Sequence, residues 1–128
     1  MEAVRRVRGL DEIVFATSTS EIDSPLAEYA LARGWNVFRG HADYVLDRVY
    51  EAARAFRADV IVHFGGDCPI LDAGHTSRAL ARFREGGMDY LNNYEPPTFP
   101  EGLDINVIAF PALERAFREA LAPSQRIN

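Results

Sequence analysis

An aspartate that follows two glycines at the end of an apolar run is the residue best placed in this sequence to do chemistry. The run at 60–64 lacks polar alternation, which predicts a strand buried on both faces. Gly65 and Gly66 allow a sharp turn after it. Pro69 restricts the residue before it to extended geometry, so Asp67 is expected on a stiff corner. An acid there suits a hard cation that bridges phosphates, and the alternative is that Asp67 only caps the turn.

A second group of charged side chains follows an earlier apolar run. Arg39, His41 and Asp43 come directly after the predicted strand at 35–38, and Arg48 lies one helical turn further on. Arginines bind phosphate and bases through their planar set of N–H groups. Exposed arginines are also common, so the sequence leaves a nucleotide contact and a plain surface role equally open for Arg39 and Arg48.

Strand and helix patterns alternate along the chain, which is typical of an α/β fold with a mostly parallel sheet and helices on both faces. The predicted strands lie at 13–17, 35–38, 59–64, 89–91 and 103–110. Helices are predicted at 1–8, 24–33, 43–56, 75–84 and from Pro111, with Ser24 and Asp43 as caps. The loops at 17–20, 39–43 and 65–72 each follow a strand, so we expect them to meet at one edge of the sheet.

Other motifs give weaker signals. The sequence has no G-x-G-x-x-G or G-x-x-x-x-G-K-[ST] pattern, so it supports neither a dinucleotide fingerprint nor a Walker loop. The three histidines lack metal-ligand spacing, and His63 fits a strand position with satisfied hydrogen bonds. Cys68 is better explained as a small buried residue than as a nucleophile. The aromatic, proline-rich loop from Asn92 to Gly102 is long enough to favour substrate contact.

Composition sets broad limits on function. The 128 residues carry a net charge of −5, which argues against a broad nucleic-acid surface. No apolar stretch is long enough to cross a membrane and no secretory leader is visible. A single cysteine makes the cytoplasm the default location. All 14 basic residues are arginines, so the chain cannot supply a lysine to a triphosphate.

Six spaced segments together resemble the cytidylyltransferase family, which includes SpsF-like spore coat polysaccharide biosynthesis proteins and CMP-sugar-acid synthetases. The segments are LDEIVFATS (10–18), VFRG (37–40), VLDRVY (45–50), GDCPILD (66–72), DYLNN (89–93) and GLDINV (102–107). The resemblance covers nearly the whole chain as a single domain, residues 1–128. It implies a Rossmann-like α/β nucleotidyltransferase that joins a sugar or sugar acid to CTP, uses Mg²⁺ and releases pyrophosphate.

The resemblance also implies roles for individual residues. Asp67 corresponds to the family's magnesium-binding aspartate, and the acceptor-side positions are Asn92, Asn93 and Asp104. The positions near the nucleotide are Arg39, Asp43, Arg48 and Gly66. A homodimer is a further expectation at the level of the family.

The sequence departs from the family pattern at both ends. It begins in the helix after the family's first strand and phosphate loop, and Ser124-Gln125-Arg126-Ile127-Asn128 replaces the family's S-x-R-E-H. We therefore expect a partial domain with little activity by itself. Two alternatives remain open: a glycosyltransferase that uses nucleotide sugars, disfavoured because Cys-Pro follows Asp67 where Asp-x-Asp would be expected, and a non-catalytic fragment.

Overall fold

The computed structural model describes residues 2–66, 71–96, 100 and 102–127. The strands are β1 (Val14–Ser18), β2 (Asn36–Gly40), β3 (Val60–His63), β4 (Tyr90–Asn92) and β5 (Asn106–Ala109). The α-helices are α1 (Ser24–Ala32), α2 (Val45–Ala55), α3 (Ala73–Arg84) and α4 (Phe110–Glu119). Short 3₁₀ turns occur at Val4–Arg6, Glu21–Asp23 and Pro123–Gln125. None of the helices in this described part is long and apolar enough to cross a membrane.

The chain divides into two compact units, each with its own sheet. The parallel unit contains residues 12–58 and 113–128, and the antiparallel unit contains residues 1–11 and 59–112. That residues 1–128 form a single domain stays a prediction.

In the parallel unit, β1 and β2 run side by side in the same direction. Their register runs from Val14 opposite Asn36 to Ser18 opposite Gly40. Helix α1 connects the two strands, as parallel pairing requires. Ala27 and Ala30 of α1 are buried, so this helix packs closely through small side chains. The loops after β1 and β2 therefore lie at the same edge, as the sequence predicts for these two. The third loop of that prediction, 65–72, belongs to the antiparallel unit, and its place beside them stays a prediction.

The C-terminal segment of the parallel unit is fastened to α2 through Arg126. Its guanidinium forms an ion pair with Asp47, with 22% and 19% of the two side chains exposed. It also donates hydrogen bonds to the carbonyls of Phe117 (3.0 Å) and Ala120 (2.9 Å). The Arg126 carbonyl accepts a bond of 3.0 Å from the backbone N–H of Leu46. One arginine thus joins the first turn of α2 to the end of α4.

In the antiparallel unit, β5 lies between β3 and β4 and runs antiparallel to both. The described residues between β4 and β5 form no helix, and a connection of this kind allows antiparallel pairing, whereas a parallel pair needs a longer crossover. The α/β prediction therefore needs one amendment, because only β1 and β2 form a parallel ladder in the described structure. Leu80 and Phe83 of α3 pack against one face of this sheet.

Several local predictions differ from the structure. The strand at 59–64 is real, but all of β3 is half-buried because it flanks the sheet, and Val107 of β5 is the fully buried position. Residues 2–8, the described part of the predicted first helix, form a 3₁₀ turn and no α-helix. Ser24 is the first residue of α1 and not its cap, and Tyr44 precedes α2 where Asp43 was predicted to cap it.

Replacing Arg126 with methionine should lower the free energy of unfolding by about 2–4 kcal/mol, because a partly buried Asp47 and two carbonyls lose their charged donor. Urea denaturation of the purified chain measures this change. Arg118→Met is the matched control, since its ion pair with Glu114 is exposed and should contribute less than about 1 kcal/mol. Equal effects of the two substitutions would contradict the assigned role of Arg126.

Candidate functional site

The loop after β1 is held by an arginine from β2. Arg39 donates from Nε to the carbonyl of Ser18 (2.9 Å) and from Nη2 to the carbonyl of Ser20 (2.8 Å). A third bond runs from Nη2 to Oγ of Ser24 at 3.1 Å. These bonds use three of the five guanidinium donors. Arg39 therefore fixes the loop at 17–20 as well as lying beside it.

Ser18 and Asp23 form a second contact within the same loop. Ser18 donates from Oγ to the Asp23 carboxylate, and the Ser18 oxygen accepts a 3.1 Å bond from the N–H of Ser20. The bond from Ser18 lowers the pKa of Asp23 below its usual value. An ionised carboxylate is thus kept next to the hydroxyl-rich turn.

The loop after β2 is closed by Arg48 and His41. Arg48 donates from Nη1 to the carbonyls of His41 (2.6 Å) and Ala42 (3.0 Å). The His41 Nδ1 accepts bonds of 3.1 Å from the backbone N–H groups of Asp43 and Tyr44. His41 therefore satisfies two N–H groups before α2, and the N–H of Leu46 in the first turn of α2 donates to the carbonyl of Arg126 and not to Asp43. Asp43 itself is exposed to solvent.

The backbone at Gly40 explains the tight fit of this loop. A side chain at Gly40 would place its Cβ 2.9 Å from the ring of Phe38 and 3.1 Å from Cγ of Arg48. The ring of His41 also stacks on Tyr44 with centroids 4.2 Å apart. The sequence indicated the charged residues of this loop, but the structure shows that Arg48 and His41 organise its backbone.

The corner after β3 leads toward the predicted metal ligand. Gly66 is exposed, and a Cβ added there would meet no atom within 4 Å. Backbone at this point is therefore accessible to a ligand. Asp67, together with Cys68, lies outside the described residues, so its predicted role in metal binding stays a prediction. After residues 67–70, which lie outside the described part of the chain, Asp72 caps α3 by accepting a bond from the N–H of His75.

The predicted acceptor-side asparagines have different environments. Asn93 is only 8% exposed, donates from Nδ2 to the carbonyl of Leu103 (2.8 Å) and accepts from the N–H of Ile105 (2.8 Å). It therefore holds the long loop between β4 and β5 to the start of β5. Asn92 is half-buried, and its Oδ1 accepts a 3.1 Å bond from the N–H of Glu95.

Asp104 lies at the rim of a small cavity near the N-terminus of α3. The cavity has a volume of about 10 Å³, which is about the space of one water molecule. Its walls are formed by the corner after β3, the first turn of α3 and the segment before β5: Phe64, Leu71, Asp72, His75, Thr76, Gly102, Leu103, Asp104 and Ile105. In the described structure this cavity has room for a water molecule and not for a nucleotide.

His75 joins this cavity to the buried asparagine. Its Nε2 lies 3.3 Å from Nδ2 of Asn93. Since Nδ2 carries only hydrogens, the contact is a hydrogen bond only when Nε2 is unprotonated. Burial lowers the pKa of His75, as does the charge of Arg78, and the charge of Asp72 opposes both.

A row of polar side chains crosses the sheet of the antiparallel unit at one end. Asn106 pairs with His63 on one side and with Asn92 on the other. Val62 and Val107 belong to the hydrophobic core, so their sequence neighbours His63 and Asn106 face away from it. His63 ends β3, Asn92 ends β4 and Asn106 begins β5, which places the row at the edge from which the chain continues to Gly66.

Two tyrosines adjoin the polar row. The hydroxyls of Tyr90 and Tyr94 lie 2.7 Å apart, and both donate toward Oδ1 of Asn106, that of Tyr94 at 2.9 Å. Burial first, and the bond with Tyr90 second, raise the pKa of Tyr94 to about 12. These residues escaped sequence reasoning. Only the strand register places Asn106 beside Asn92, because Asn92 directly follows one predicted strand and Asn106 lies within another.

In the described part of the chain, no three His, Cys, Asp or Glu side chains gather into a group that could hold a metal ion. Magnesium commonly uses only one or two protein carboxylates together with substrate phosphates. A single acid after the unobstructed backbone of Gly66 fits that pattern.

Comparison with known proteins decides the family. The model of the cytidylyltransferase family matches residues 1–120. The chain belongs to the cytidylyltransferase family. A cytidylyltransferase from Leptospira borgpetersenii has a similar structure, with a TM-score of 0.93 and 28% identity, over 99% of this chain and 54% of that one. The predicted Rossmann-like nucleotidyltransferase fold is thereby confirmed.

Two curated proteins are also similar to this cytidylyltransferase chain. An uncharacterized protein of Methanocaldococcus jannaschii is 32% identical over 98% of this chain and 51% of its own length. The spore coat polysaccharide biosynthesis protein SpsF of Bacillus subtilis is 34% identical over 62% of this chain and 33% of its own. The chain thus spans about half or less of these curated relatives.

A solved synthetase shares the fold. CMP:2-keto-3-deoxy-manno-octonic acid synthetase, determined with CTP bound, has a TM-score of 0.72 at 16% identity. The comparison covers 97% of this chain and 67% of the synthetase. At that identity the likeness concerns the architecture alone.

Replacing Asn93 with alanine should lower the free energy of unfolding by about 2–3 kcal/mol, because a buried N–H and a carbonyl lose their partner. Urea denaturation gives the change, and hydrogen exchange at the Ile105 amide shows whether the loss is local. Asn36→Ala is the control, since Asn36 is exposed and should contribute less than about 1 kcal/mol. Unchanged protection of the Ile105 amide would refute the role of Asn93.

Stability should decrease as the pH falls below 6.5, the ordinary pKa of histidine, because the folded pKa of His75 is lower than that value. The unfolded chain then binds a proton that the folded chain does not. The contribution of His75 is complete above pH 6.5 and is lost as the pH falls through its folded pKa. Urea denaturation at several pH values between 7.5 and 5 should show that the free energy of unfolding changes less with pH in His75→Gln than in the wild type. An identical dependence on pH in the two proteins would contradict this.

Proposed function

We propose that this cytidylyltransferase transfers CMP from CTP to a sugar or sugar acid, releases pyrophosphate and acts in the synthesis of a polysaccharide. The observation that carries the proposal is the family match over residues 1–120. Two relatives give it substance: one is named for spore coat polysaccharide biosynthesis, and the distant synthetase was solved with CTP. The match favours this reaction over transfer from a nucleotide sugar.

In the proposed reaction an acceptor oxygen attacks the α-phosphorus of CTP in line with the departing pyrophosphate. The protein contributes mainly by positioning the reactants and by electrostatic stabilisation. Asp67 would hold Mg²⁺, which when bound neutralises charge on the triphosphate. The chain's other residues would orient the nucleotide and the acceptor and limit the access of water.

The contacts within the parallel unit suggest how the predicted nucleotide residues act. Arg39 and Arg48 each fix backbone carbonyls of a loop, so part of their contribution would be to hold loop N–H groups in place. Asp43 and Gly66 are both exposed, so each would be free to contact the nucleotide. On the acceptor side, the loop that Asn93 holds would carry Asp104, with Asn92 at the end of β4.

Further predictions from the sequence belong to this proposal. They are a requirement for Mg²⁺, a homodimer, a cytoplasmic location and low turnover by this chain alone. Light scattering of the purified protein tests the dimer. The assay below tests the metal and the turnover.

Asp67→Asn should reduce pyrophosphate release by about 100-fold or more, because the proposed metal ligand loses its charge. The assay supplies CTP and MgCl₂ with a panel of sugars and sugar acids, and a coupled phosphate reaction measures pyrophosphate. Asp59→Asn is the matched control, since Asp59 precedes the same strand at its other end and is exposed. If the two variants lose activity equally, the role of Asp67 is wrong; if the wild type turns over no acceptor, the function is unsupported for this chain.

A further inference from the structure

A cluster rich in hydrogen-bond acceptors lies on the face of the antiparallel sheet opposite α3. None of its members is among the site residues predicted from the sequence. The oxygens of Tyr90, Tyr94 and Asn106 lie within hydrogen-bonding distance of one another. The two phenols supply two protons to three oxygen–oxygen contacts. One contact therefore lacks a proton, and lone pairs remain that the cluster cannot satisfy by itself. A ligand that brings hydrogen-bond donors would complete it.

The cluster is accessible and presents aromatic surface. Tyr90 is 45% exposed and Tyr94 is 39% exposed. Tyrosine combines a flat apolar ring with a polar hydroxyl, which suits a ligand that has both apolar and polar groups. A sugar ring has this character, because its C–H groups form an apolar face and its hydroxyls donate hydrogen bonds.

The electrostatics favour a neutral donor over a cation. The raised pKa of Tyr94, caused first by burial and then by its bond with Tyr90, indicates an environment that disfavours the phenolate. The Tyr94 hydroxyl therefore stays protonated near neutral pH. A divalent cation is normally bound by carboxylates, and the cluster contains only neutral oxygens. Hydroxyl groups of a ligand are the better match.

We propose that Tyr90, Tyr94 and Asn106 bind hydroxyl groups of the sugar that accepts CMP. This inference rests on the proposed function, which supplies the sugar. The position of the cluster supports it, since Asn106 pairs directly with Asn92 and belongs to the row that ends at His63. That row lies at the sheet edge from which the chain continues toward Asp67. The cluster therefore determines which acceptor is bound and does not take part in the chemical step.

The test removes each hydroxyl and keeps its ring. Tyr90→Phe, Tyr94→Phe and the double variant are compared with Tyr29→Phe, a control on α1 whose side chain is 50% exposed. Saturation-transfer NMR without nucleotide measures binding of mannose, glucose, N-acetylneuraminic acid and 2-keto-3-deoxy-manno-octonic acid. The side-chain amide signal of Asn106 reports contact at the cluster. Urea midpoints of all variants show whether any loss of binding reflects loss of folding.

We expect at least one sugar to bind the wild type and the Tyr29→Phe control and to shift the Asn106 amide. Each substitution at the cluster should weaken that binding about 3- to 10-fold, with the KM for CTP unchanged. Binding that is equal in all variants, the absence of binding by every sugar, or a loss that follows the urea midpoints would overturn the proposal. Because NMR binding needs no CTP, sugar binding without pyrophosphate release would leave this site supported while the transferase proposal fails.

Discussion

The antiparallel placement of β5 between β3 and β4 is the constraint on which the candidate site depends. Because β5 runs against its neighbours, its first residue lies beside the last residues of both. Three polar side chains then share one face and one edge of the sheet, while the alternate positions supply the core under α3. A one-residue change of register would exchange these two sets and place polar groups in the core.

Hydrogen bonds to backbone carbonyls give the loops of the parallel unit their shape. Arg39 binds the loop after β1, and Arg48 binds the loop after β2. A loop that is already fixed loses little conformational freedom when a ligand binds, which favours affinity without additional contacts. The buried Asn93 has the same effect on the connection between β4 and β5. Polar side chains in this protein thus act as internal supports as well as candidate ligands.

The sequence predicts the elements well where local signals are strong. The helix at 75–84 matches α3, and Gly86 follows it with φ of +91°, a conformation that glycine adopts at helix ends. The strands at 13–17 and 35–38 match β1 and β2 within two residues. The family segments predict the fold correctly because they extend along most of the chain.

What the sequence could not predict depends on contacts between distant residues. The alternation of strands and helices suggests a mostly parallel sheet. The sequence shows only the length of the connection before β5 and not the direction in which that strand runs. Asp43 has a side chain that suits a helix cap, yet the N–H of Leu46 in the first turn of α2 donates to the carbonyl of Arg126, which is distant in sequence. The cluster of Tyr90, Tyr94 and Asn106 requires the register, which no local pattern specifies.

The attachment of Arg126 to the first turn of α2 has a mechanical consequence. A pull on the C-terminus would first load the ion pair with Asp47 and the bond to Leu46. The strain would then reach α2, which carries Arg48 and through it the loop after β2. Immobilising the chain through its last residues would therefore transmit force to the loop after β2.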